Sequence, residues 1–164
     1  MDRPDPTNHG GARQAPPTLA EIGLAAYAPY LMNRIMGRYN ADLRKDMAAL
    51  GLTTPKMRAL AVLSVTDGPL IRDLAVYTVT EQSTLSRALD QLAADGFVRR
   101  EPDPDDSRAT RLYLTPAGRT AFETLWPTML AAHDHMFRGI DAGERRAFVA
   151  TLQKMLKNVR RHEI

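Results

Sequence analysis

The chain has 164 residues, 44% hydrophobic and 25% charged, a composition typical of a globular protein that can bury its own core. The formal net charge of +3 is compatible with phosphate binding but does not establish it, and the absence of cysteine excludes disulfides, thiolate metal sites and thiol-based redox sensing. No apolar run has the length of a membrane span and the amino terminus lacks a signal-peptide pattern, so we expect a cytoplasmic protein with no membrane partner.

Residues 1–17 contain four prolines and almost no apolar side chain, which predicts a disordered tail. The alternative is an arm that reaches DNA or a partner, for which Arg3 and Arg13 give weak support. Thr18 and Glu21 then have the spacing of a capping box, so a helix is predicted to begin there. Its apolar stripe runs to Leu50, and Pro29 is predicted to kink this helix or divide it in two.

Three shorter helices are predicted next. The first has Thr54 as its cap and Pro55 at the first helical position, and the second runs from about Leu70 to Tyr77. The third begins near Thr80 and ends before Gly96, which is predicted to close it in the left-handed conformation.

A β-ribbon is predicted from Phe97–Arg100 and Thr110–Leu114, and Pro102 and Pro104 should prevent the connection from forming a ladder. Two long helices are predicted to follow. The fifth helix begins at Thr115 and Pro116 and should be kinked at Pro127. The sixth begins at Asp141 and Glu144, which have the spacing of a capping box. The fold class is therefore mainly α with a small antiparallel β-wing: a winged helix-turn-helix module plus a helical dimerisation framework.

The fourth helix has the pattern of a recognition helix, with hydrogen-bonding side chains at its leading end and an apolar rear. The polar residues are Gln82, Ser83, Thr84, Ser86 and Arg87, and the apolar ones are Leu85, Leu89 and Leu92. Glutamine can pair with adenine, arginine with guanine, and serine or threonine with a base or a phosphate. The alternative is an ordinary amphipathic helix with a solvated polar face.

The tip of the ribbon places Asp106 two residues before Arg108. The carboxylate can hold the guanidinium rigid, which suits the negative potential of a narrow minor groove. The alternative is a surface salt bridge of little energetic value. Between Phe97 and Arg111 four basic residues face four acidic ones, so the prediction depends on where Arg108 lies and not on net charge.

Two segments resemble the MarR family of bacterial transcription regulators. They are Asp106–Arg108 followed by Leu112–Gly118, and Ser83–Leu92 followed by Gly96–Val98. The similarity covers roughly residues 30 to 160, and its specificity lies in the joint spacing of the motifs. The resemblance implies an obligate homodimer that binds a pseudo-palindromic operator in double-stranded DNA. It also implies a triangular helical framework, formed by residues 18–50 and 116–164, around a DNA-binding region of residues 51–115.

The sequence departs from the expected pattern at two positions. Val79 stands where many helix-turn-helix motifs have glycine, so the turn geometry and the first residue of the recognition helix stay open by one residue. Ser107 stands where the family often has arginine, which removes one potential phosphate contact.

The resemblance further implies an effector pocket between the framework and the winged module. The candidate residues are Tyr27, Tyr30, Met32, Arg34, Met57, Arg58 and Trp126, with Arg38 one turn from Arg34. The alternative is that the aromatic residues belong to the core or to the dimer interface, and that the arginines pair with acidic groups. His133 and His135 are two residues apart, which is not a metal-binding spacing on a helix, so no metal or cofactor is predicted.

Together these features predict a ligand-responsive, sequence-specific DNA-binding regulator, a homodimeric repressor released by a small aromatic or acidic effector. The alternatives are a non-specific architectural DNA-binding protein and a winged-helix protein–protein adaptor. An enzyme is not expected, because the chain has no glycine-rich phosphate loop after a strand and no nucleophile–base grouping.

Overall fold

The computed structural model describes residues 15–160, so the predicted tail lies outside the described residues except for three exposed positions, 15–17. The chain divides into two compact units between Met36 and Gly37. Across residues 15–160, no helix combines the length and the apolar character that crossing a membrane requires.

The first unit contains helix α1 (Leu19–Ile22), a single 3₁₀ turn (Leu24–Ala26) and the beginning of α2 (Ala28–Ala49), which continues into the second unit. The capping box is confirmed, since the N–H of Glu21 donates to Thr18 Oγ1 and the N–H of Thr18 donates to Glu21 Oε2. The predicted division of the helix is confirmed as well. It falls just before Pro29, which takes the first turn of α2, where its missing N–H breaks no helical hydrogen bond.

The second unit contains the end of α2 and the remaining elements. These are α3 (Thr54–Leu63), α4 (Ile71–Thr78), α5 (Gln82–Ala94), β1 (Val98–Pro102), β2 (Thr110–Leu114), α6 (Pro116–Met136) and α7 (Ala142–Val159). The two strands pair antiparallel, with Val98 opposite Leu114 and Pro102 opposite Thr110. Pro102 is therefore the last residue of β1, and the prediction that it lies in the unpaired connection was wrong. Proline is tolerated at this position because the cross-strand donor at this end of the ribbon is the next residue, Asp103, whose N–H donates to the Ala109 carbonyl.

Two helix starts differ from the prediction. Helix α3 begins at Thr54 with Thr53 as its N-cap, so Thr54 is one residue inside the helix and Pro55 follows it. Helix α5 begins at Gln82 with Glu81 as its N-cap, two residues later than the predicted start near Thr80. Thr80 instead belongs to the preceding turn, where its Oγ1 donates to the carbonyl of Thr78.

The core of the second unit is made mostly of leucine. Its largest fully buried members are Leu43 of α2, Leu60 of α3, Leu74 of α4, Leu85, Leu89 and Leu92 of α5, Leu112 of β2 and Leu125 of α6. Full burial of one such side chain contributes about 1.5–3 kcal/mol, so the rear of α5 and the base of the ribbon are held firmly by the same core.

The turn between α4 and α5 has an uncommon backbone. Val79 has φ +49° and ψ +51°, and its side chain is 83% exposed. The N–H of Thr80 donates to the Ala75 carbonyl and that of Val79 to the Val76 carbonyl, which is the Schellman pattern that ends many helices. Valine therefore takes the left-handed conformation that glycine would take, at a cost of about 1–2 kcal/mol, and the expected change of turn geometry does not occur.

The last two helices begin as predicted. Thr115 caps α6 by accepting the N–H of Gly118, and Asp141 forms a capping box with Glu144 at the start of α7. Gly118 approaches the ribbon so closely that a Cβ there would lie 2.0 Å from the Phe97 carbonyl oxygen. Helix α6 continues through Pro127 as one helix.

Candidate nucleic-acid interface and adjoining groove

The polar leading end predicted for the recognition helix is confirmed as a feature of α5. Its five hydrogen-bonding side chains are all exposed: Gln82, Ser83, Thr84, Ser86 and Arg87. Between and behind them Leu85, Ala88 and Leu89 are buried. An α-helix with this arrangement fits a major groove about 12 Å wide and can present both amide and guanidinium donors to base edges.

The ribbon is fastened to this helix by an ion pair that the sequence pattern did not indicate. Arg100 of β1 donates from Nη2 to Oδ1 of Asp90, on α5, over 2.7 Å. Within the described residues no carboxylate pairs with Arg87, so its charge stays available to a ligand of opposite sign.

Asp103 organises the loop of the wing. Its Oδ1 accepts the N–H groups of Asp105 and Asp106, each at 2.9 Å, and its Oδ2 lies 2.7 Å from Nε of Arg111. The side chain of Asp103 is only 6% exposed. The hydrogen bond from the Asp105 N–H is the largest of the influences that lower its pKa; the Asp106 N–H and the Arg111 charge act in the same direction, and burial opposes them. The loop thus closes around a buried carboxylate that stays ionised.

The tip of the wing has the predicted pairing of Asp106 with Arg108. The Arg108 N–H donates to Asp106 Oδ1 over 3.0 Å, and Nε of the same arginine donates to the same oxygen over 3.3 Å. The Arg108 side chain is nevertheless 91% exposed. The carboxylate therefore orients the base of the side chain and leaves most of the guanidinium open to a phosphate or a groove edge.

The residues predicted to bind an effector are distributed over both units. In the first unit Tyr27 is exposed, and Nη1 of Arg34 donates to the Tyr30 hydroxyl over 2.9 Å. In the second unit Met57 is buried in the core, and Nη1 of Arg58 donates to the carbonyls of Thr78 and Val79. Met57 and Arg58 are thus already engaged within the protein, which the sequence could not show.

The last candidate, Trp126, lines a groove of about 330 Å³ between α3 and α6. Its apolar wall includes Val65, Phe122, Trp126 and Met129, and Ser64, Arg119 and Glu123 supply polar groups. The rings of Phe122 and Trp126 are 6.0 Å apart. Across the described residues, Arg119 has no ion-pair partner for its guanidinium. The groove can therefore hold a small apolar body together with one acidic group.

In the described part of the chain, no group of three or more histidine, aspartate or glutamate side chains is placed so that it could hold a metal ion. His133 instead lies against Arg145, whose Nη2 is 3.2 Å from both ring nitrogens.

The described elements define a winged helix-turn-helix protein. They are a short helix, a tight turn, a second helix with a polar leading end, and a ribbon with an oriented cation at its tip.

Comparison with known proteins gives the family. A profile of the MarR family matches residues 50–109, which contain α3, α4, α5 and most of the wing. A MarR family transcriptional regulator of Silicibacter pomeroyi, known from a crystal structure, is 66% identical, with 90% of this chain and 100% of that chain covered and a TM-score of 0.86. The chain therefore belongs to the MarR family of DNA-binding transcription regulators.

Two more distant relatives have named functions. The transcriptional repressor IacR of Pseudomonas putida is 24% identical over 130 residues, which are 79% of this chain and 75% of that protein. The structure of Bordetella bronchiseptica BpsR is 26% identical, covers 78% of this chain and 97% of its own, and has a TM-score of 0.68. The DNA binding of BpsR is regulated by 6-hydroxynicotinic acid.

Proposed function

We propose that the protein is a homodimeric, ligand-responsive repressor that binds a pseudo-palindromic operator in the cytoplasm and has no catalytic role. The observation that carries this proposal is the placement of the polar end of α5 and the oriented Arg108 on one module, joined by the Arg100–Asp90 ion pair. In a two-fold dimer the two α5 helices would read half-sites roughly 34–36 Å apart, one turn of DNA.

DNA contacts are assigned residue by residue from exposure and chemistry. Gln82, Ser83, Thr84, Ser86 and Arg87 would face base edges and nearby phosphates, and Arg108 would enter the minor groove with Asp106 holding it. Selection of bound duplexes from a random-sequence pool tests this assignment. Gln82→Ala and Arg87→Ala should change the enriched sequence, whereas an equal affinity for every duplex would favour the architectural alternative and no binding at all would favour an adaptor.

The dimer is supported by apolar surface that the chain leaves uncovered. Helix α7 has 18 residues and none of them is buried. Its exposed apolar residues, Phe148, Val149, Met155, Leu156 and Val159, recur at helical spacing along one stripe. Residues 18–50 and 116–164 would form the dimerisation region and residues 51–115 the DNA-binding region. A second copy is the occupant that the proposed two-fold operator requires.

Sedimentation of charge variants tests the dimer. Phe148→Glu places a carboxylate on the stripe and should lower the sedimenting mass toward that of one chain, because burying the charge costs more than the contact returns. Lys154→Glu is the matched control, since Lys154 is exposed on the opposite face of α7 and should leave the mass unchanged. A monomeric wild-type protein at micromolar concentration would contradict the proposal.

The groove lined by Trp126 is the proposed effector site. Its apolar wall and the unpaired guanidinium of Arg119 suit a small aromatic acid, and the regulation of BpsR by such a compound supports this class. Tyr27, Tyr30 and Arg34 offer similar groups in the first unit. Titration with simple aromatic acids should release the operator duplex from the wild type. Arg119→Gln should weaken this response while leaving ligand-free DNA binding intact.

A further inference from the structure

A cation from α3 reaches the turn in front of the recognition helix. Nη1 of Arg58 donates to the carbonyl of Thr78 over 3.2 Å and to that of Val79 over 3.4 Å. These carbonyls lie at the carboxyl end of α4, where the backbone carries a partial negative charge that a cation stabilises. Arg58 thus binds across 20 and 21 residues of sequence to the two peptide groups that set the course of the turn.

The same turn contains an unfavourable backbone conformation. In the described part of the chain, Val79 is the one residue other than glycine with positive φ. A β-branched side chain disfavours this region, which glycine enters without steric cost. Only Thr80 and Glu81 separate Val79 from the first residue of α5. A change of φ at Val79 would therefore redirect the polar leading end of the helix.

The hydrogen bonds around the turn show which contact holds Val79. The Thr78 carbonyl also accepts a hydrogen bond from Thr80 Oγ1 over 3.0 Å, so this carbonyl has a second donor besides Arg58. Within residues 15–160 Arg58 is the one donor to the Val79 carbonyl. Loss of Arg58 would therefore release mainly the peptide that follows Val79, which is the peptide whose orientation the left-handed conformation fixes.

We infer that Arg58 is a positioning residue for α5, because it keeps the turn in the left-handed conformation without a glycine. The inference rests on the proposed function of α5 as the DNA-reading helix. In this role Arg58 touches no DNA and acts through Thr78 and Val79. A clear consequence is that glycine at position 79 should make Arg58 dispensable.

A double-mutant cycle tests the inference. Arg58→Met keeps an unbranched apolar stem and removes the donors of the side chain, Val79→Gly removes the steric cost, and the double variant combines both. Lys154→Met, on the exposed face of α7 opposite the apolar stripe, is the charge-matched control. The probe is a duplex enriched from a random-sequence pool by the wild-type protein, and affinity is measured by fluorescence anisotropy at fixed salt.

Arg58→Met should weaken binding about tenfold, equivalent to about 1.4 kcal/mol, and Lys154→Met should not. In the Val79→Gly background the same substitution should cost less than about threefold. Arg58→Lys keeps the charge with a less rigid donor and should fall between the two. Hydrogen exchange at the Val79 and Thr80 amides, which donate to the Val76 and Ala75 carbonyls, should accelerate in Arg58→Met and return to the wild-type rate in the double variant, while Leu89 stays protected.

Three results would overturn the inference. They are wild-type affinity and exchange in Arg58→Met, an equal loss of affinity in both backgrounds, and failure of glycine to restore the exchange rate. If Arg58→Met does not fold, Arg58→Lys in the two backgrounds gives the same comparison. If the wild type enriches no sequence, the proposed function fails, and the exchange measurements still decide the role of Arg58 because they need no DNA.

Discussion

Removal of Arg108 should reduce the salt dependence of DNA binding and leave the free energy of unfolding almost unchanged. The side chain is 91% exposed and its ion pair with Asp106 is a surface pair, so Arg108→Ala should alter the free energy of unfolding by less than about 0.5 kcal/mol. If each wing of a dimer neutralises one phosphate, losing both contacts lowers the slope of log K against log salt by about 1.8.

The slope converts directly into a loss of affinity at each salt concentration. If wild type and variant bind equally at 1 M salt, a difference of about 1.8 in slope corresponds to roughly 200-fold weaker binding at 50 mM salt and roughly 30-fold at 150 mM. Fluorescence anisotropy over this range, with the duplex that the wild type prefers, measures both numbers. Lys154→Ala removes one positive charge from an exposed site outside the proposed DNA contacts, on the face of α7 opposite the apolar stripe, and should leave the slope unchanged. Parallel lines for wild type and Arg108→Ala would refute the assignment of a phosphate contact to Arg108.

Two further predictions concern the stability of the winged module. Gly118→Ala would place a Cβ 2.0 Å from the Phe97 carbonyl oxygen and should destabilise the protein by about 3 kcal/mol in urea unfolding; an unchanged midpoint would show that this contact relaxes freely. The folded-state pKa of Asp103 lies below its ordinary value of 3.8, so its contribution is complete above about pH 4 and is lost as pH falls through the folded pKa. Asp103→Asn should therefore be less stable than wild type at pH 7, and the difference should shrink as pH falls through the folded-state pKa of Asp103; a difference that stays constant as the pH is lowered would contradict the role of the charge.

The sequence was informative wherever a local rule decides the structure. Thr115 before Pro116, the box of Asp141 and Glu144, and the alternation of polar and apolar residues from Gln82 to Leu92 all gave elements close to those observed. Each of these signals depends on neighbours within about one helical turn, so it is complete in the sequence itself. The predicted turn also formed, although Val79 argued against it.

Contacts between distant residues explain what the sequence did not reveal. Arg58 was assigned to a pocket from the family resemblance, and the sequence could not reveal its partners because they are backbone carbonyls, which every residue has. The groove between α3 and α6 was anticipated only through Trp126, since Arg119 reads as an ordinary exposed helix residue until its neighbours are known. The sequence also gave no sign of the hydrogen bond from Arg111 to the Gly68 carbonyl, 43 positions away.

Ion pairs within the wing explain why its acidic and basic residues balance. Three of its four carboxylates pair with arginines of the ribbon itself: Glu101 with Arg99, Asp103 with Arg111, and Asp106 with Arg108. The pair formed by Asp103 is largely buried, whereas the guanidinium of Arg108 projects into solvent. A phosphate near the tip would therefore meet an oriented cation, while the buried acid would act mainly on its own loop. Neutral net charge and strong local recognition are compatible because the acidic residues fix where the positive charge lies.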